Sequence, residues 1–280
     1  MTHQDIALHV HDIGLRVTVQ DLGRPGLAHL GVPTAGAADR ASMQQANALV
    51  GNPAHAAALE IVLRGMTLHL EGATRIAVVG APWSVNGTAA ASGTAVDVGN
   101  DAVVSVGNCD GAYAYLAVAG GVDVASVLGS RSTDTLSQLG PQPAQPGAVL
   151  PVGNATGTTD TTGTTQSAPL RVVFGPRDDW FTTDAHEALL TAEWTVTPSS
   201  DRIGLRLSGP ALERQVHDEL PSEGLVAGAV QVPPDGQPIL FLANHPTTGG
   251  YPVIAVVVSA DVDRAAQHRP GMTVRFAAHD

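Results

Sequence analysis

The chain contains no lysine; all 14 of its basic residues are arginine. That absence rules out a Schiff base, lysine-linked pyridoxal phosphate, the lysine of a phosphate-binding loop and any biotinylated lysine on this polypeptide. An anion must therefore be held by arginine, by backbone amides or by a metal. Cysteine is nearly as scarce. Cys109 stands alone, so neither an intrachain disulfide nor a thiolate zinc site can form. It sits in the turn Gly107-Asn108-Cys109-Asp110-Gly111 with no recognisable base beside it, and reads as incidental rather than catalytic. Positive charge is in deficit. With 26 acidic side chains against 14 basic ones the net charge is -12, which repels a phosphate backbone and argues against nucleic acid as a partner. Only 14% of residues are charged, so much of the surface is small and polar or covered by a partner. No run is long enough to span a bilayer, and Met1-Thr2-His3-Gln4-Asp5 lacks the basic and apolar regions of a secretory signal. The expectation is a cytoplasmic protein without membrane contact.

What is present points to β structure. Short apolar runs, Leu59 to Leu63, Met66 to Leu70, Ile76 to Val79, Ala102 to Val106, Ala112 to Val118 and Leu170 to Phe174 among them, are separated by Gly, Pro, Asn or Asp. With 31 glycines and 19 prolines, this spacing predicts a mostly β chain of barrels or sandwiches with a few short helices. One helix is predicted from Asp39 as N-cap through Met43, Ala46 and Val50, stopped by Gly51-Asn52-Pro53; another begins near Thr183 and runs through Leu190. At 280 residues, with 44% apolar, two domains are expected. Residues 153–168 are rich in Thr and Gly and predict a linker between an N-terminal β-rich lobe, 1–152, and a C-terminal lobe, 169–280.

Four clusters carry groups able to bind polar ligands. The first is Gln20-Asp21-Leu22-Gly23-Arg24-Pro25-Gly26, followed by Gly36-Ala37-Ala38-Asp39; Arg24, held between glycine and proline, suits a carboxylate or phosphate. Asp21 and Asp39 either hold a metal or pin Arg24. The second, Gly129-Ser130-Arg131-Ser132-Thr133-Asp134, is either an anion cradle or a capped turn. In the third, Ser199-Ser200-Asp201-Arg202, the charged neighbours point apart on a strand or converge in a turn. The fourth couples Gln231 and Pro233-Pro234-Asp235-Gly236 to Asn244-His245-Pro246-Thr247-Thr248-Gly249-Gly250-Tyr251-Pro252. That last stretch reads either as a tight hairpin or as a ligand-binding turn, in which paired glycines let a ligand approach backbone amides and His245 exchanges a proton. No Gly-x-Ser-x-Gly elbow or His-Glu-x-x-His zinc motif occurs, and His9 and His11 form the one pair with any metal-binding potential.

These clusters, in this order, together with Gly31-Val32-Pro33, Ala46-Asn47, Leu49-Val50-Gly51-Asn52-Pro53, Leu59-Glu60, Gly120-Gly121 and Gly228, resemble the allophanate hydrolase subunit 2 family over nearly the whole chain. Members of that family include KipA and the C subunit of 5-oxoprolinase. The resemblance implies a cyclophilin-like, mostly β architecture with two barrel-like lobes. It implies a subunit of an ATP-dependent 5-oxoprolinase that opens 5-oxo-L-proline to L-glutamate, with ATP and Mg as cofactors, a KipI- or PxpB-like partner (allophanate hydrolase subunit 1 family) and a PxpA-like third subunit. Phosphorylating the carbonyl oxygen of a lactam, a poor electrophile, would supply the leaving group that water lacks. Under this expectation Arg202, Asp201, Gln231 and His245 are the catalytic set; Arg24, Arg131, Ser132, Thr133, Thr247, Thr248, Gly249, Gly250 and Tyr251 bind substrate or phosphate, and no metal ligands are assigned. Two alternatives stand beside it. One is a carboxyltransferase acting on a urea-like or amide substrate with biotin on another chain; the other is a KipA-like regulator that binds a KipI-like inhibitor of a histidine kinase. The sequence departs from its relatives at Asn244-His245-Pro246, where an acidic residue followed by Arg or Gln is common, which makes His245 the candidate substitute.

Overall fold

The structure, a computed structural model, describes residues 6–157 and 168–279. These fall into two compact units, the first made of residues 6–24 and 35–157, the second of Pro25–Thr34 and 168–279. Most of the expected 153–168 linker, residues 158–167, lies outside the described residues. The strand Val149–Ala155 runs past the Val152 boundary because Ala155 pairs with Gly120.

The first unit is two antiparallel sheets. Five strands run in the order Arg16–Gln20, Ala58–Val62, Tyr113–Val118, Thr74–Val79 and Thr94–Val98. Seven run in the order Gly120–Val122, Val149–Ala155, Ala7–Ile13, Met66–Glu71, Ala102–Val106, Trp83–Val85 and Thr88–Ala90. The alternation in Met66–Glu71 turns Met66, Leu68 and Leu70 inward, and they pack with Leu8, Val17, Leu59, Ile61 and Leu116 into one core. The chain crosses repeatedly between the sheets, at corners as short as Gly14-Leu15, Gly72-Ala73 and Ala119. The helix Arg40–Leu49 forms as expected, with Asp39 capping the Ser42 amide at 2.9 Å, and it buries Met43, Ala46 and Asn47. The asparagines of the family-like stretch tie this helix end to the sheets: Asn47 Nδ2 donates to the Ala56 carbonyl, and Asn52 bridges the Val118 carbonyl and the Gly120 amide, each at 2.8 Å.

The second unit is an eight-stranded sheet in the order Thr273–Val274, Trp194–Val196, Gly204–Ser208, Ile239–Phe241, Ala229–Gln231, Val253–Val257, Leu170–Phe174 and Phe276–Ala278. Its two edge strands are separated in sequence by Arg275 alone, so the sheet curls until its margins nearly meet, a nearly closed barrel. The final strand pairs in parallel with Leu170–Phe174; every other pairing in this sheet is antiparallel. Helix Thr183–Thr191 appears where the sequence places it, capped by the Thr182 hydroxyl. Helix Ser259–Ala266 was not expected: its N-cap, Val258, has no capping side chain. It is fixed by Asp261, whose carboxylate takes the backbone amide and the guanidinium of Arg171 at 2.8–2.9 Å and the guanidinium of Arg264 at 3.0 Å. The mostly β class is as expected. Among the described residues no helix is long and apolar enough to cross a membrane.

Candidate functional site

In the first unit, the strand Arg16–Gln20 delivers Asp21 and Arg24 into contact with the Gly129–Asp134 loop. Arg24 is 2% exposed. Its Nη2 donates to the Ser132 carbonyl at 2.6 Å and its Nε to the Val127 carbonyl at 3.3 Å, while Nη1 is buried without a hydrogen bond among the described residues. Burial lowers the guanidinium pKa from its ordinary value, and the charges of Asp134 and Asp21 oppose that shift. Asp21 belongs to no group of three or more His, Cys, Asp or Glu able to hold a metal among the described residues, and it does not pin Arg24 through a direct ion pair. Its carboxylate accepts from the amides of Gly23 (2.8 Å) and Arg131 (2.6 Å) and from the Ser130 hydroxyl (2.6 Å).

The anion cradle expected at Arg131, Ser132 and Thr133 thus holds an anion of the chain's own, the Asp21 carboxylate. Arg131 faces the other way, with Nη2 on Asp123 at 2.6 Å and Nε on the Val124 carbonyl at 2.9 Å. Ser132 is buried against the Ser130 hydroxyl at 2.7 Å, and Thr133 is buried with its amide on the Val19 carbonyl at 2.9 Å. The Arg131 guanidinium and the Ser132 hydroxyl are thus engaged inside the loop, whereas Thr133 Oγ1 is buried without a hydrogen bond among the described residues. Asp39, the other proposed metal ligand, is a helix cap with both oxygens on Ser42.

The second unit carries the other candidates. The stretch 244–252 is not a hairpin. Ala229–Gln231 pairs with both Ile239–Phe241 and Val253–Val257 and so lies between them. The intervening segment instead makes its own two-stranded ribbon, Thr248–Gly249 against Glu223–Gly224. Glu223 in that ribbon is ion-paired with Arg177. A Cβ at Gly249 would lie 2.5 Å from Gln231 Nε2 and 2.8 Å from Leu225 Cδ1, so the ends of both side chains would have to move. Gly250 faces open space, its nearest neighbour for such an atom being the Leu220 carbonyl at 3.7 Å. Gln231, expected to be catalytic, donates its amide to the Tyr251 carbonyl at 2.9 Å and so braces the turn. The hydroxyls of Thr247, Thr248 and Tyr251 make no hydrogen bond among the described residues, and Thr248 and Tyr251 are exposed.

Asp201 and Arg202 diverge. Asp201 is exposed and accepts from the amides of Ile203 (2.8 Å) and Gly204 (3.3 Å), closing a turn. Arg202 is 2% exposed, and its Nη2 reaches Asn244 Oδ1 at 3.2 Å while the Asn244 amide donates to the Arg202 carbonyl at 3.1 Å. Asn244, one residue before His245, thus receives the guanidinium at the entry to the turn. His245 is buried, with Nδ1 2.8 Å from the Pro246 carbonyl.

Sequence reasoning passed over Arg214, whose guanidinium lies 6.0 Å from the Tyr251 ring centroid; it stands in an irregular segment with no motif around it. It also treated Glu60 only as part of a family motif, whereas the side chain is fully buried and accepts from the Tyr115 hydroxyl (2.8 Å) and the Ala38 amide (2.9 Å). Cys109 is buried, and burial pushes its thiol pKa up to about 11, which disqualifies it as a nucleophile. The rings of His9 and His11 each approach that of His69, at 5.9 and 6.0 Å, yet no group of three or more His, Cys, Asp or Glu among the described residues has a geometry able to hold a metal.

Comparison with known proteins sets these features in a family. The chain is 36% identical over 277 residues to the C subunit of 5-oxoprolinase from Escherichia coli, an alignment covering 94% of this chain and 88% of that one. It is 34% identical to the corresponding C subunit from Haemophilus influenzae, covering 97% and 91%. Among solved structures, the urea amidolyase of K. lactis superposes with a TM-score of 0.91 at 28% identity, covering all of this chain and 19% of that one. A protein designated TTHA0988 superposes with a TM-score of 0.87 at 32% identity, covering 99% of this chain and 56% of that one. The chain therefore spans about a fifth of the amidolyase and just over half of TTHA0988. The profile of the carboxyltransferase domain, subdomains A and B, matches residues 30–278, and the chain belongs to that family.

Proposed function

We propose that this chain is the C-type subunit of a 5-oxoprolinase, acting with other subunits to hydrolyse 5-oxo-L-proline to L-glutamate. The observation that carries the proposal is the 36% identity to the Escherichia coli 5-oxoprolinase component across 94% of the chain, against 29% to the urea amidolyase of Lachancea kluyveri. In the reaction the lactam C–N bond breaks, the water oxygen joins the carbonyl carbon and the nitrogen leaves as the amine. A lactam is a poor electrophile, so the complex draws on ATP with Mg, and the KipI- or PxpB-like and PxpA-like subunits are its proposed partners.

Of the residues expected to hold phosphate in the first unit, those of the Gly129–Asp134 loop are largely engaged by the chain itself, while Arg24 keeps a buried Nη1 without a hydrogen bond among the described residues. The Arg131 amide and Ser130 hydroxyl already hold Asp21, Arg131 pairs with Asp123, and no metal-ligating cluster is found among the described residues. The contribution proposed for this chain is therefore to bind and orient. In the second unit the open hydroxyls of Thr247, Thr248 and Tyr251 are placed to engage the polar edge of a small substrate. Gln231 braces that turn, and the bond between Arg202 and Asn244 anchors the backbone where the turn begins.

The test is to mix the purified chain with its candidate partner subunits and measure ADP release with and without 5-oxo-L-proline. ADP release that rises with 5-oxo-L-proline only when this chain is present is the expected result. Release indifferent to the lactam, or to omission of this chain, overturns the reading. A carboxyltransferase reading is favoured by the 0.91 TM-score to urea amidolyase. With no lysine on this chain, it requires a biotinylated carrier in trans, and a pull-down against biotinylated carrier domains decides it.

A further inference from the structure

A cavity of about 510 Å³ opens in the second unit between the segment Ala211–Arg214 and the turn Pro233–Gly236. Its size suits a small metabolite. The two walls are fixed: the Leu212 amide donates to the Gly236 carbonyl at 3.0 Å, the Thr182 amide to the Glu213 carbonyl at 3.1 Å, and Phe181 and Arg214 form a β-bridge. Arg214 is the one arginine on this lining, and its guanidinium has no carboxylate partner among the described residues. Nη2 is turned to the Val232 carbonyl, Nε is buried without a hydrogen bond, and Nη1 makes none. The cation rests 6.0 Å from the ring centroid of Tyr251, which the bond from Gln231 holds in place.

We propose that this pocket binds a small carboxylate, with Arg214 as its anchor and Tyr251 as the platform that orients the guanidinium. A half-buried cation without a counter-ion is costly, and a bound carboxylate supplies the missing charge. Burial lowers the Arg214 pKa from its ordinary value, as expected of a cation taken from water without an anion beside it. Glu213 and Asp235 also line the cavity. Their negative charge opposes a dianionic phosphate and favours a monoanion that also carries an N–H donor, such as an amino acid or a lactam acid. The choice of a lactam acid and an amino acid as ligands rests on the oxoprolinase reading, whose turnover is measured separately from binding.

Isothermal titration of the full chain with 5-oxo-L-proline, L-glutamate and inorganic phosphate tests it. The expected result is saturable binding of at least one of the two carboxylates, weaker or no binding of phosphate, and loss of carboxylate binding in Arg214→Gln. Arg214→Lys keeps the charge over Tyr251 but loses the planar fork, and should weaken binding by at least about tenfold. A shift of the Arg214 Nε–Hε signal on adding ligand to the wild-type chain reads the contact directly, without any variant. Undiminished affinity in Arg214→Gln, phosphate binding as tightly as the carboxylates, or no binding of either carboxylate at 10 mM (about tenfold above a millimolar Kd) overturns the proposal.

Discussion

At the scale of single residues, the chain's small polar groups are spent on one another, and this is where its behaviour on mutation is decided. Asp21, itself buried, satisfies two amides and a hydroxyl in a partly buried loop. Asp21→Ala should therefore lower stability by about 2 kcal/mol, read from urea unfolding, because it strands the buried Ser130 hydroxyl and two partly buried amides. A loss below about 1 kcal/mol, the worth of one ordinary hydrogen bond, would show that the loop is held by other means. The paired glycines of the turn are not equivalent. Gly249→Ala pushes Gln231 off the Tyr251 carbonyl, whereas Gly250→Ala meets nothing nearer than 3.7 Å. The first should reduce turnover of the reconstituted complex at least about tenfold and the second leave it within about twofold, with thermal midpoints separating stability from turnover. Equal activities would remove the turn from the working machinery.

At the scale of elements, the strands were legible because they are short apolar runs bounded by Gly, Pro, Asn or Asp, several of them buried along their whole length. Ala102–Val106 and Leu170–Phe174 lie where the apolar runs place them, and most others differ by a residue or two at the ends. The turn at 244–252 was misjudged as a possible hairpin for a physical reason: two apolar runs flanking a Gly- and Pro-rich stretch look alike whether they pair with each other or with a third strand. Only long-range pairing decides, and here Ala229–Gln231 sits between them. Helix Ser259–Ala266 was missed because its stabilising contacts, from Asp261 to Arg171, are also distant in sequence. Buried Glu60 gives a prediction at this scale. The Tyr115 hydroxyl donates to it and accepts from the Asp39 amide at 2.8 Å, which links the start of helix Arg40–Leu49 to the five-stranded sheet. Tyr115→Phe keeps the ring and removes that link, so it should cost about 1–3 kcal/mol, measured by denaturant unfolding, and raise amide exchange in the first turn of the helix. Unchanged exchange there would mean that the cap alone holds the helix.

For the molecule as a whole, composition spoke for the mostly β class and the ordered motifs for the family, while the site was legible only as a set of clusters. Sequence could name Arg24, Arg131 and Arg202 as cations but not say which were already occupied, since Asp21, Asp123 and Asn244 reach them or their loops through folding. Global stability should fall with acid in two stages. His268 has its pKa lowered, first by burial, and Asp261 has its pKa lowered, first by the hydrogen bond from Arg171. Both folded values lie below the unfolded ones, so both contributions are full at neutral pH and are lost as protons bind the unfolded chain first. The His268 part should fade as pH drops below about 6.5 and the Asp261 part below about 4. Urea midpoints at pH 7.5 and 5.5, on either side of the ordinary histidine pKa of about 6.5, should differ less in His268→Gln than in the wild-type chain; an identical slope would exclude this histidine. The strand pair that flanks Arg275 has a consequence of another kind. A protease cut after Met272 would unzip both margins of the eight-stranded sheet together, baring the backbone of Trp194–Val196 and of Leu170–Phe174 in one event. Such a clipped chain would present two sticky borders, and its fate would be self-association rather than a slightly loosened fold.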